Sequence, residues 1–165
     1  MIKRILIIVL ALFPIARPSF AQSENVSPKK EANTEIWAGC AYDTKYSNTT
    51  LSLNVAHDFK TFGLSLMYDE LDLNTGHKIS GESIGWYSRL YFEDNTFAII
   101  PDIRFGMAHG KFEEDDYSFR FQMQFGMRLQ WNVCDYLWTG FNLRMISIDD
   151  IDNVWLLGMN VGFRF

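Results

Sequence analysis

The stretch YSFRFQMQFGMRLQW, residues 117–131, constrains this chain more than any other. Its odd positions are all apolar: Tyr117, Phe119, Phe121, Met123, Phe125, Met127, Leu129 and Trp131. Its even positions are polar or glycine: Ser118, Arg120, Gln122, Gln124, Gly126, Arg128 and Gln130. Such an unbroken period of two excludes a helix, which repeats every 3.6 residues, and matches a strand whose side chains alternate between faces. The run is also long for a strand of a soluble sheet.

The same alternation recurs more weakly. It predicts eight strands, near 35–43, 49–58, 62–69, 82–92, 97–108, 117–131, 137–147 and 154–165. Leu51, Leu53 and Val55 oppose Ser52 and Asn54. Ile84, Trp86, Leu90 and Phe92 oppose Gly85, Tyr87 and Arg89. Ile103, Phe105 and Met107 oppose Asp102, Arg104 and Gly106. The first strand, EIWAGCAYD, is ambiguous in phase. No helical segment interrupts the hairpins. The connections KT, EDNT and NVCDY are short, whereas TKYSN, ELDLNTGHKISG, HGKFEEDDY and SIDDID are mostly longer. Short turns at one end and longer loops at the other are how outer-membrane barrels are built. The expected fold is all-β, an eight-stranded antiparallel up-and-down transmembrane β-barrel over residues 35–165.

Alternation alone fits two barrels. A secreted lipocalin-like barrel turns its apolar face inward around a ligand, and an outer-membrane barrel turns it outward to lipid. The polar face separates them. It mixes Arg89, Arg104, Arg120, Arg128, Arg144 and Arg164 with Gln, Asn and many glycines. A solvated face would carry more Lys, Glu and Thr. An enclosed interior needs long side chains that bond across it and small ones that leave room. Trp37, Trp86, Trp131 and Trp155 lie near strand ends, where membrane barrels carry aromatic girdles, whereas Trp138 falls on the polar phase.

Residues 1–21, MIKRILIIVLALFPIARPSFA, have a basic start, an apolar run and small residues before the expected cut. They read as a signal peptide, and the run is too short for a spanning helix. Residues 22–34 read as a flexible leader. Removing Lys3, Arg4 and Arg17 from the 15 basic residues leaves 12 against 20 acidic ones, a net charge of −8. That argues against nucleic acid, which needs a basic face. Cys40 and Cys134 lie at different heights of the expected barrel, so no bridge is expected.

The chain closes on Trp155, Leu157, Met159, Val161, Phe163 and Phe165 in alternation. This ending resembles the C-terminal signal of Gram-negative outer-membrane β-barrels, and the size is similar to the small OmpA and OmpX type. The resemblance implies an outer-membrane location, surrounding lipid and lipopolysaccharide as partners, a monomer, and recognition by the barrel assembly machinery.

An eight-stranded barrel is just wide enough for side chains to fill it, so the interior is expected to be a packed polar core rather than a pore. Pairing the hairpins by their turns places Asp102 near Tyr87, Gln122 and Gln124, with Arg89, Arg104, Arg120 and Arg144 in the same interior network. Arginines outnumber carboxylates there. Enzyme chemistry is the alternative. The lipid A deacylase barrels carry a His-x-Ser pair, but none of His57, His77 and His109 has serine two residues on. His57 and His109 share the lipid-facing phase at opposite ends, and the amphipathic helix that opens palmitoyltransferase barrels is missing from residues 22–34. A Ser–His–acid site assembled across strands stays open, with His57 the histidine to substitute first. Acidic stretches (Asp69, Glu70 and Asp72; Glu113, Glu114, Asp115 and Asp116; Asp149, Asp150 and Asp152) lack the spacing of a calcium loop, so neither metal nor cofactor is expected. The expected role is structural or adhesive, with acidic loops offered to a surface partner. A lipid-modifying enzyme and a narrow channel or small-ligand barrel are the other readings.

Overall fold

The alternating segments join into one closed antiparallel wall in the computed structural model, which describes residues 33–59, 62–72, 78–92, 96–111 and 118–165. The signal-peptide and leader readings, His77, and Glu113 to Asp116 lie outside the described residues. The strands are β1 (Thr34–Asp43), β2 (Thr49–Phe59), β3 (Phe62–Asp72), β4 (Lys78–Tyr87), β5 (Leu90–Phe92), β6 (Phe97–Gly110), β7 (Ser118–Asn132), β8 (Leu137–Ile148) and β9 (Val154–Arg164).

β4 and β5 are one stave of the barrel. Tyr87 opposes Asp102 and Leu90 opposes Ile99, so the register against β6 is continuous across the break. The gap falls opposite Pro101, which has no N–H to give to the ladder. The eight staves close where β1 meets β9, from Glu35 opposite Arg164 to Asp43 opposite Leu156. Thr34 and Phe165 exchange both backbone hydrogen bonds at 3.0 Å, which extends that seam to the last residue. Closure leaves no strand edge, the one condition under which a sheet can sit in hydrocarbon.

The outer face is apolar. Leu66, Leu157, Met159, Phe163 and Phe165 are each more than half exposed, and Ile36, Leu53, Val55, Ile84, Phe121, Phe141 and Val161 continue the belt. A belt of this extent is far beyond the apolar patches that water tolerates on a monomer. The shortest of the full staves has 10 residues and the longest 15. About 9–11 tilted residues cross a bilayer core, so the staves reach across it.

Three sequence expectations change. β1 turns Glu35, Trp37, Ala41 and Asp43 inward and Ile36 and Tyr42 outward. Trp37 is therefore an interior residue, not part of a girdle. The connection expected over 70–81 shrinks to residues 73–77, because the alternation continues through Leu71 and Ile79 into buried interior positions. Asp69, expected among loop acids, consequently lies on the inward phase of β3 and is fully buried.

The interior is also less uniformly polar than expected. At the loop end, Leu71, Ile79, Ile146, Ile148, Val154 and Leu156 form an apolar layer with Ala41 and Ala108. Nearer the terminus end, Ala56, Tyr87, Ala98 and Ile100 form another, with Tyr91 packed on it. Glycine makes room where rings cross the lumen. Gly162 opposes both Trp37 and Trp138, and a Cβ there would sit 2.3 Å from the Trp138 ring. Gly63 opposes Tyr87, whose ring would lie 2.0 Å from such a Cβ.

Candidate functional site

The chemistry-bearing residues fall into two systems, one inside the wall and one on it. The inner system begins at the terminus end with Glu35. Its carboxylate accepts from Arg89 Nη2 at 2.9 Å and from Arg164 Nε at 2.8 Å, and Arg128 Nη2 stands 3.8 Å away. Arg89 also reaches Asp58, which takes the Tyr87 hydroxyl at 2.6 Å. The Arg128 guanidinium lies 4.4 Å from the centre of the Trp138 ring and 5.1 Å from that of Trp37. Stacking of this kind suits a desolvated cation.

Higher up, Arg104 donates to Asp102 Oδ2 and to Ser65 Oγ, each at 2.8 Å. Arg144 donates to Asp69 Oδ1 at 2.9 Å and to Ser52 Oγ at 2.8 Å. Gln124 Nε2 donates to the other Asp69 oxygen at 3.0 Å. Gln122 instead bridges backbone carbonyls of Glu82 and Met107. Burying a charge costs several kcal/mol unless it is paired and hydrogen-bonded, and these carboxylates provide that pairing. A small cavity in this middle layer is lined by Trp37, Ser65, Asp102, Arg104, Asn142, Arg144 and Asn160. Asp102 Oδ1, Asn142 Oδ1 and Asn160 Nδ2 have no protein partner, so this layer suits ordered water.

Of the residues expected in the interior network, Tyr87, Arg89, Asp102, Arg104, Gln122, Gln124 and Arg144 lie inside the barrel. Arg120 lies on the same inward phase of β7, further toward the loops. It sits at the loop rim, where it donates to the Asp149 carbonyl at 3.2 Å. Asp102 faces Tyr87 on one side but Gly126 on the other, whereas Gln124 faces Arg104 and Gln122 faces Gly106. The shift arises because β6 runs on to Gly110, which slides the β6–β7 pairing relative to one set at residue 108. The apparent excess of arginine is met by Glu35, Asp58 and Asp69. Sequence reasoning places none of the three in the lumen, because β1 has no clear phase and Asp58 and Asp69 are the last residues of the strands expected over 49–58 and 62–69, with Asp69 grouped among the loop acids. The polar phases of β2 (Ser52, Asn54) and β3 (Gly63, Ser65), extended by two or four residues, would have found Asp58 and Asp69.

The outer system occupies the loop-end half of β3, β4 and β6, on the phase that elsewhere is apolar. Ser80 directly opposes His109, with Glu70 on its other side. His109 Nε2 is 2.8 Å from Glu82 Oε1, and Tyr68 Oη is 3.0 Å from Ser80 Oγ. Lys78 pairs with Glu70 at the rim. His57 is different. It faces out at the terminus end, its Nδ1 3.0 Å from Thr34 Oγ1. His109 thus replaces His57 as the histidine with a chemical environment. Cys40 and Cys134 are both free. Among the described residues no group of three or more His, Cys, Asp or Glu side chains is placed to hold a metal ion.

A sealed eight-stave wall with an apolar belt and a filled lumen defines the class of small transmembrane β-barrels found in bacterial outer membranes. The N-terminal β-barrel domain of Pseudomonas aeruginosa OprF superposes with a TM-score of 0.56 at 16% identity, covering 81% of this chain and 97% of that one. The attachment invasion locus protein Ail of Yersinia pestis gives 0.51 at 13% identity, covering 81% and 97%. The outer membrane enzyme PagL gives 0.54 at 11% identity, covering 78% and 97%. At these identities the likeness is one of fold. No protein-family model and no curated protein sequence matches the chain.

Proposed function

We propose that this chain is a Gram-negative outer-membrane barrel with a structural or surface-interaction role, acting through its wall and loop end rather than through its lumen. The observation that carries this reading is the filled interior. Paired arginines and carboxylates occupy the middle and terminus end, and the apolar layer around Leu71, Ile79, Ile146 and Leu156 lies above them. An ion would have to break buried pairs and cross an apolar layer to pass. The longer loops face outside and the termini face the periplasm, as in barrels of this construction. The acidic turn at Asp149, Asp150 and Asp152 is available to a surface partner or, through divalent ions, to lipopolysaccharide phosphates. Trp155, Leu157, Met159, Val161, Phe163 and Phe165 all face lipid and form the segment offered to the assembly machinery.

Three measurements on the same preparation test this. The detergent-extracted protein should show heat-modifiable gel mobility. Planar bilayers should show no stepwise conductance. Lys45, in the β1–β2 loop, should react with a membrane-impermeant amine reagent on intact cells. Recovery as a soluble periplasmic protein would overturn the location, and reproducible channel steps would overturn the closed lumen.

A further inference from the structure

Charge in the lumen is fully contacted but not fully balanced. Among the described residues, the middle and terminus end of the interior hold five guanidiniums, on Arg89, Arg104, Arg128, Arg144 and Arg164, against four carboxylates, on Glu35, Asp58, Asp69 and Asp102. Asp43 and Arg120 lie further toward the loops. There Asp43 accepts the backbone N–H groups of Lys45 and Tyr46, and Arg120 stands 4.0 Å from Asp150. Each of the five arginines has a carboxylate oxygen no more than 3.8 Å away, yet Glu35 serves three of them with one charge.

The surplus falls on Arg128. Arg89 and Arg164 hydrogen-bond to Glu35, Arg104 to Asp102, and Arg144 to Asp69. Arg128 has Glu35 at 3.8 Å, beyond hydrogen-bond reach, and the rings of Trp138 and Trp37. An aromatic face attracts a cation but supplies no net negative charge. Arg128 is only 7% exposed, so bulk water does not compensate it either. Arg128 also lines the middle cavity, together with Arg144 and Asn160. Three buried N–H donors on these side chains, Arg128 Nε, Arg144 Nε and Asn160 Nδ2, have no protein acceptor. The free acceptors among the cavity-lining residues are Asp102 Oδ1 and Asn142 Oδ1, and the first is turned against Gly126, where a Cβ would lie 2.0 Å from it. The layer thus has more free donors than acceptors and one positive charge too many. Water would answer the donors but not the charge. The cavity has room for about one water-sized particle, which excludes phosphate, sulfate and carboxylic acids. Chloride is little larger than water and carries the single charge required.

We infer that this cavity binds one chloride ion, held by Arg128, Arg144 and Asn160, as the fifth counter-charge of the lumen. The ion is a structural part of the filling and is not conducted. The apolar layer around Leu71, Ile79, Ile146 and Leu156 closes the route toward the loops, and Ala56, Tyr87, Ala98 and Ile100 close the route toward the termini. The anion therefore enters as the barrel closes during folding. This site goes beyond the structural role proposed above. A lumen that closes without it leaves the heat-modifiable mobility and the silent bilayer unchanged, so the two readings fail separately.

The test uses the full-length protein refolded in uncharged detergent, with heat-modifiable mobility as the check on folding. Crystals grown with sodium bromide in place of chloride should show one anomalous peak in the cavity, within hydrogen-bond distance of Arg128. In solution, chloride is exchanged for gluconate, which is too large for the cavity, at constant sodium. The urea midpoint should rise with the logarithm of chloride concentration, with a slope of about one anion per molecule. Arg128→Met should remove that dependence, and Arg128→Lys, which keeps the charge, should retain it. General salt effects act on both variants alike and cancel in the comparison. A cavity without a bromide peak overturns the site, and this result needs no variant to fold. So does a midpoint indifferent to chloride, or a chloride dependence that Arg128→Met leaves intact.

Discussion

Glu35 and Glu82 show what one alternating wall does with a carboxylate on either side. Glu35 is fully buried in the lumen and is shared by Arg89 and Arg164, with Arg128 close by. Glu82 is on the outside, its side chain 55% exposed, and it meets the His109 imidazole at 2.8 Å. The first carboxylate is over-committed: its lone pairs are filled, and moving it strands several cations. The second meets one imidazole and keeps much of its surface in contact with the surroundings. Inside the barrel, charge is structural material. On its rim, charge stays exposed.

The largest effect should come from breaking the inner side of that comparison. Glu35→Gln leaves Arg89, Arg128 and Arg164 buried without their central counter-charge. A loss of about 3–5 kcal/mol is expected, read as a fall in urea midpoint for refolding into lipid vesicles. An unchanged midpoint would mean the terminus end is wetter than its packing implies. Glu82→Gln in the same assay should shift the midpoint very little, and the contrast between the two is the sharper result.

Shape comes next. Met159→Arg puts a cation on the lipid-facing phase near the middle of β9, where about 2–4 kcal/mol is expected if the belt lies in hydrocarbon. Gly63→Ala places a methyl group where the Tyr87 ring now lies. Overpacking of about 1–3 kcal/mol is expected, with weakening of the Tyr87–Asp58 contact. Gly63→Ala in combination with Tyr87→Phe should not recover the loss, whereas Gly63→Ala with Tyr87→Leu should recover part of it.

The smallest effect is at the loop tips. Lys45 Nζ and Asp152 Oδ2 meet at 2.5 Å between the β1–β2 and β8–β9 loops, both of them solvated. Their hydrogen bond holds the Asp152 carboxyl below its ordinary range and the Lys45 ammonium above its own. The contact is therefore fully made at neutral pH. It is lost as falling pH protonates Asp152 or as rising pH deprotonates Lys45. Lys45→Ala should leave Tm unchanged within error at pH 7, because exposed pairs add little. A measurable loss there would show that the loops are a cooperative part of the barrel.

Much of the fold was legible in residues 117–131 and 154–165, because a period of two survives any tertiary arrangement and fixes which residues share a face. The filled lumen was legible from arginine mixed with glycine. The partners of those arginines were not. β1 carries Trp37 on one phase and Ile36 on the other, so hydrophobicity alone leaves its faces undetermined. Closure against β9 decides it by setting Glu35 opposite Arg164. Ser80, Glu82 and His109 were hidden for a related reason. Ser80 and Glu82 stand two residues apart on β4, but His109 stands on β6, and no local spacing joins it to them.

The sequence by itself therefore determined that this is a wall of alternating strands with an apolar outside. Alternation is a local property, and nothing distant can undo it. Only the tertiary structure decided which inward carboxylate meets which arginine and which outward glutamate meets which histidine. Those pairings depend on register. Register is set by where each strand ends and where the barrel closes, and a slip of two residues preserves every face while changing every neighbour.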